Sequence, residues 1–240
     1  MDFDIKDFLQ RLGNPKATAI AFFNKYDDKL KPYFDDNNDA LCEVIKKASE
    51  GKLIAKNLDK LDKCTIGTYV LGHKELPDDL VDRWVKNVKL EEKTTHKMLG
   101  EMNCFKKQIA KYVLMGPLTT FMELSIEPNT AIFLVDSDQI HILNVSYFDI
   151  TGENIVSSFN GHASCQIIPA TILRKKPWIA FPCMGSRTLA KSDKNEIWFG
   201  AGMEDVKKIY ERMKISGLKY PLSAKSEVLL KVLSRDIEDM

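Results

Sequence analysis

The sequence has no run of apolar residues long enough to cross a bilayer. Its longest, such as Ala131-Ile132-Phe133-Leu134-Val135, fall far short of the ~20 residues that a spanning helix needs. It also lacks an excess of charge of either sign. The 35 basic and 34 acidic side chains leave a net charge of +1, so no global basic field draws nucleic acid or anionic lipid. CxxC pairs and HxxxH are absent, no low-complexity tract occurs, and no standard catalytic motif is present. The amino-terminal MDFDIKDFLQRLGN is acidic and amphipathic, without a basic region, apolar run and small-residue cleavage site in succession. Together these absences predict a cytoplasmic protein that binds neither nucleic acid nor membrane.

Against that background the 5 cysteines stand out: Cys42, Cys64, Cys104, Cys165 and Cys183. A cytosolic compartment keeps thiols reduced, so they are not a disulfide framework. Buried thiols, metal ligands and redox groups are the alternatives.

Hydrophobic content of 44% and charged content of 29% over 240 residues suit a globular chain with a substantial core. Phe3, Phe8, Leu9 and Leu12 predict a helix ending at Gly13-Asn14, and Ala17 to Asn24 a buried strand. Leu41, Val44, Ile45 and Ala48 predict a helix capped by Asp39 and stopped by Gly51. KLIAKN reads as extended, and CTIGTYVLG as a loop entering a short helix. Leu80, Val81, Trp84, Val85 and Val88 make an amphipathic helix behind Pro77. Lys89 to Glu101 has no clear period, and FKKQIAKYVLMG reads as weakly helical up to its break at Gly116-Pro117. In the second half, Thr130 to Val135 predicts a strand buried on both faces, followed by a helix with Ile140, Leu143, Asn144 and Tyr147 on one side. A helix from about His162 to Leu173, strands at Trp178 to Phe181 and Glu196 to Gly200, and a helix from Met203 to Met213 complete the alternation. This predicts one α/β domain over 1–240, with a mixed or mostly parallel sheet and flanking helices. An apolar strand early in each half suggests two similar halves, subdivided near 116–128.

Cys183, in AFPCMGSR, lies at the carboxyl end of a predicted strand, where ligands bind in open α/β sheets. Pro182 fixes the backbone before it, and Gly185 allows close approach of another group. Cys165, in GHASCQIIPA, falls near the first turn of the helix leading into that strand. There the helix dipole and free N–H groups favour a thiolate. In a β-α-β unit the helix start and the end of the next strand share one sheet edge, which predicts that Cys165 and Cys183 converge. His162 could join Cys165 in nucleophilic chemistry, while Ser186 and Arg187 could bind an anion beside Gly185. Cys64 likewise precedes a probable helix. Cys42 sits one position off its helix's apolar stripe.

LCEVIKKASEGKLIAKNLDKLDKCTIGTYVLG, GHASCQIIPATILRKKPWIAFPCMGSR and EIWFGAG together resemble the uncharacterised ArCR family, domain of unknown function 169, from about Ala17 to Met213. Its pattern includes a C-x-A-type helix, a C-P-G-type loop, a G-x-x-x-C turn and a P-C-x-G-x-R loop. Cys42, Cys64, Cys165 and Cys183 occupy the matching positions. Thr65 replaces the usual proline and Ser186 the usual acid before the arginine, and Cys104 matches nothing. The resemblance implies a layout of four thiols rather than a reaction.

Such a layout suits a cysteine-ligated metal site. An iron–sulfur cluster is preferred to zinc, because structural zinc uses close ligand pairs and this chain is long enough to fold without a metal. The leading expectation is an iron–sulfur protein in an oxygen-sensitive redox or cofactor-related process, meeting a small molecule or a redox partner protein, with Arg187 near an anion. One alternative is a non-catalytic small-molecule-binding module in which Gly161, Gly185 and Arg187 line a crevice. The other is a thiol enzyme using Cys165 or Cys183.

Overall fold

The structure, a computed structural model, describes residues 3–25, 28–158 and 163–222. Among these residues the chain begins with helix α1 (Ile5–Arg11), strand β1 (Lys16–Phe23), α2 (Leu41–Ser49), β2 (Ile54–Asn57) and α3 (Thr65–Val70). Next come α4 (Leu80–Val88), α5 (Glu92–Gly100), β3 (Tyr112–Pro117), α6 (Leu118–Glu123), β4 (Thr130–Val135), α7 (Ser137–Thr151) and β5 (Val156–Ser158). The last elements are α8 (Ile167–Arg174), β6 (Trp178–Ala180), α9 (Met184–Leu189), β7 (Ile197–Ala201) and α10 (Met203–Ser216).

The strands form one 7-stranded mixed sheet in the order β2-β3-β1-β4-β7-β6-β5. Side-chain alternation assigns each strand residue to one of two helical layers. Ala19 of β1, Leu114 of β3, Ala131 and Phe133 of β4 and Phe199 of β7 face a core shared with α1, α6, α7 and α10. Ile20, Val113, Met115, Ile132 and Trp198 face the opposite core, built with α2, α3 and α8. The site described below lies within this second layer.

Of the pairs between named strands, β5/β6 alone is parallel, and β1/β3, β1/β4, β2/β3, β4/β7 and β6/β7 run antiparallel. The sheet is therefore mixed, and the mostly parallel option does not hold. The largest departure from the sequence reading is β3. FKKQIAKYVLMG is not helical: Tyr112 to Pro117 is a strand hydrogen-bonded to β1 and β2 on its two sides. Pairing on both edges overrides the weak 3.6-residue period, as tertiary context does for short apolar runs. Two further findings concern helices. Lys89 to Glu101 contains α5, whose Thr95, Met98 and Leu99 are buried. Ala40 rather than Asp39 stands at the start of α2, its N–H donating to Glu43 Oε2 at 2.8 Å, while Asp39 pairs with Lys47 and Lys56. By contrast α7 is capped as its sequence implies. Asp136 accepts from the Gln139 N–H at 2.9 Å, and the Gln139 side chain accepts from the Asp136 N–H.

Gly200 of β7 sets how closely α8 approaches the sheet. A Cβ there would lie 2.7 Å from Ile167 Cγ1 and 2.9 Å from Thr171 Cγ2, both on buried side chains. Thr171 is further fixed by a 2.8 Å hydrogen bond with Thr130 Oγ1. Gly200→Val should thus overpack the interface and cost about 1–3 kcal/mol. By thermal unfolding that is a drop of roughly 2–12 °C; an unchanged midpoint would mean that α8 shifts freely.

Candidate functional site

Four helix beginnings meet in the second layer, and each carries a cysteine. Cys42 is the second residue of α2, Cys64 immediately precedes α3, Cys165 lies in the 3-10 turn Ser164–Gln166 ahead of α8, and Cys183 immediately precedes α9. All four are free thiols lining one cavity of about 360 Å³. The β5-α8-β6 segment shows why the carboxyl-terminal pair converges. β5 and β6 are parallel neighbours, so the carboxyl ends of both strands lie at one edge of the sheet. The expected convergence of Cys165 and Cys183 is found.

The amino-terminal pair is brought in by close helix packing. At Gly67 in α3 a Cβ would lie 3.2 Å from Leu41 Cβ and 4.0 Å from Cys64 Cβ. Gly67 therefore lets α3 sit against the start of α2, side by side with Cys42. Gly185 plays a corresponding part at the other wall, where a Cβ would sit 3.6 Å from Cys183 Sγ and a longer side chain would crowd the sulfur.

The thiols differ in their surroundings. Burial pushes Cys42 up to about 12, with the charges of Cys183 and Cys64 adding to it. Burial likewise raises Cys165 well above the ordinary thiol value, and Cys183, Cys64 and Cys42 push in the same direction. Burial raises Cys64 too, against the N–H groups of Gly67 and Ile66. At Cys183 burial also pushes upward, but hydrogen bonds from Ser164 and Ser186 outweigh it and hold this thiol below its ordinary value. The Ser186 N–H donates to Cys183 Sγ at 3.4 Å and the Ser164 hydroxyl at 3.5 Å. The thiols thus influence one another as members of a single electrostatic cluster.

Among the described residues the rest of the lining is mostly apolar, with Leu41, Ile66, Leu80, Trp84 and Met184, and it includes two cations, Lys63 and Arg83, but no carboxylate. Lys63 Nζ meets Glu43 Oε1 at 2.7 Å, and Arg83 Nε meets Asp79 Oδ2 at 3.1 Å. Sequence reading missed Trp84, Arg83, Lys63 and Ser164 as wall residues. Trp84 sits on the stripe that marked α4 as a packing helix, and only tertiary structure turns that stripe toward the thiols. Ser164, next to Cys165, had no signal of its own.

The remaining expected site residues fall elsewhere. Arg187 is exposed and its Nε donates to Pro182 O at 3.1 Å, bracing the loop around Cys183 from outside the cavity lining. Gly161 and His162 lie outside the described residues. Cys104 is half-buried beside the same core and does not line the cavity. Among the described residues, no group of three or more His, Cys, Asp or Glu side chains is arranged to hold a metal ion. Among them also, no helix is long and apolar enough to cross a membrane.

Searches of curated proteins and of solved structures give no match to this chain. A family profile does match, over residues 12–212, and it covers all four cavity cysteines. On that match the chain belongs to the uncharacterised ArCR family, domain of unknown function 169.

Proposed function

We propose that the cavity is a cluster-binding site, in which Cys42, Cys64, Cys165 and Cys183 ligate an iron–sulfur cluster and the protein serves a redox or cofactor-related process. One observation carries this reading: four segments remote in sequence deliver four free thiols, each at a helix beginning, to one cavity. Buried cysteines that serve only as small hydrophobes have no reason to gather so. The donor set suits the group, since thiolates are the usual ligands of such clusters. The wall is also suitable: among the described residues it is largely apolar and no carboxylate lines it. When bound, the cluster would supply one-electron chemistry; the chain's own residues would hold it and shield it from water.

A cluster is preferred to a single zinc ion because structural zinc uses close ligand pairs such as CxxC, which this sequence lacks.

The direct test is purification without oxygen, followed by reconstitution with iron and sulfide. The expected protein is brown, absorbs broadly near ~400 nm and contains stoichiometric iron and acid-labile sulfide. A colourless, metal-free product after reconstitution would sink the reading. Zinc bound without colour would replace it with a structural or Lewis-acid site.

Cys183 supports a second reading. Its hydrogen-bonded sulfur borders the cavity and is the thiol best prepared to act as a nucleophile. Selective alkylation of Cys183 near neutral pH in a protein that takes up no metal would favour thiol chemistry; equal inertness of all the thiols would exclude it.

A further inference from the structure

The Ser164 hydroxyl is buried, with the residue 1% exposed, and among the described residues its hydrogen bond goes to Cys183 Sγ alone. A neutral thiol is a weak acceptor, and a buried hydroxyl committed to it gains little. The same hydrogen bond strengthens when the sulfur carries negative charge, as a metal-bound thiolate does. The Ser186 N–H reaches the sulfur from α9 while the Ser186 hydroxyl donates to Cys183 O at 2.9 Å, so the residue is held by its backbone as well as by its sulfur. At Cys42 and Cys165, by contrast, among the described residues, no side-chain donor reaches the sulfur.

Resting on the cluster reading above, we infer that Ser164 is a positioning residue that sets the reduction potential of the bound cluster through its hydrogen bond to Cys183. Reduction adds one electron from an external reductant to the cluster and makes or breaks no bond to the protein. The added negative charge is shared by the ligating sulfurs. A donor aimed at one of them therefore stabilises the reduced form more than the oxidised form, and the potential rises.

The test is an anaerobic titration of reconstituted protein with dithionite, followed by visible absorbance, for wild type, Ser164→Ala and Ser164→Thr. Ser164→Ala should lower the equilibrium constant for reduction by roughly three- to tenfold, a downward shift of at most about 59 mV for one electron. Ser164→Thr keeps the hydroxyl and should stay at the wild-type potential. A hydroxyl that only filled space would change thermal stability in Ser164→Ala and leave the potential where it was, and that outcome overturns the inference while the cluster stands. If Ser164→Ala fails to hold a cluster, Ser164→Gly repeats the test: a lowered potential supports the hydroxyl's role, and an unchanged one overturns it. A wild-type protein that takes up no cluster removes the cluster reading itself, and the inference with it.

Discussion

Serine in place of Cys42, Cys64, Cys165 or Cys183, one at a time, should abolish or sharply reduce iron and sulfide uptake on reconstitution, while Cys104→Ser should match wild type. The contrast comes from location. The first four thiols line the cavity, and Cys104 packs beside the core without reaching it. Wild type should hold about two or four irons per chain, both cluster sizes being compatible with four thiolates. A serine variant keeps three sulfurs and one poorer oxygen donor, so residual colour would be labile to air.

The same five variants separate a cluster from structural thiols. If the cysteines only pack, the outcome depends on burial. Serine at Cys42 and Cys165 would then bury a hydroxyl and destabilise by about 1–3 kcal/mol, while serine at the half-buried Cys64, Cys104 and Cys183 would do little. Iron content and unfolding midpoint, measured on every variant, must therefore disagree. Under the cluster reading Cys64 and Cys183 behave like Cys42 and Cys165 in iron content, although they differ in burial. Iron retained by all four single variants would refute ligation by this set.

How much of this site could be read from the sequence follows from which contacts are local. Cys165 and Cys183 flank one strand-helix-strand passage, and its geometry alone places them at a common edge, as β5, α8 and β6 show. Cys42 and Cys64 come from the other half of the chain. Only the family resemblance joined them to the first pair, because their approach depends on α2 resting against α3 at Gly67, a contact with no local signal. The strands at Ala17, Thr130 and Trp178 were legible as apolar runs. β3 was not, because Phe105, Ile109, Tyr112 and Val113 are spaced for one side of a helix, and its two hydrogen-bonded neighbours are distant in sequence. The antiparallel majority was hidden for a similar reason: alternating strands and helices suggest crossovers, yet β1 pairs with β3 and β4, far along the chain.

Lys56→Met should be strongly destabilising, costing about 3–5 kcal/mol and lowering the unfolding midpoint by roughly 6–20 °C. Lys56 lies in β2 with its side chain 0% exposed, an expensive place for a charge unless it is fully met. Its Nζ reaches Asp35 Oδ2 at 3.1 Å and Asp39 Oδ2 at 2.9 Å, together with the carbonyls of Asp35 at 3.2 Å and Asn37 at 2.7 Å. Asp39 is also paired with Lys47 of α2 at 2.8 Å. The ammonium thus ties the segment before α2 to the sheet edge, and α2 carries Cys42 into the cavity. Methionine matches the stem's length but leaves Asp35 and Asp39 without their shared cation, so adding Asp39→Asn to Lys56→Met should recover part of the loss.

Acid should remove the advantage of the wild type. Burial raises both carboxyls, yet at Asp35 the Asn37 backbone and Lys56, and at Asp39 the lysines Lys47 and Lys56, outweigh it and hold each below its ordinary value. A carboxylate with a lowered folded-state value stabilises above its unfolded value, about 3.9, and loses that contribution as pH falls through the folded value. The difference in midpoint between wild type and Lys56→Met should therefore be full at neutral pH and narrow below about pH 4. A difference independent of pH would assign the loss to the packing of the lysine stem rather than to its charge.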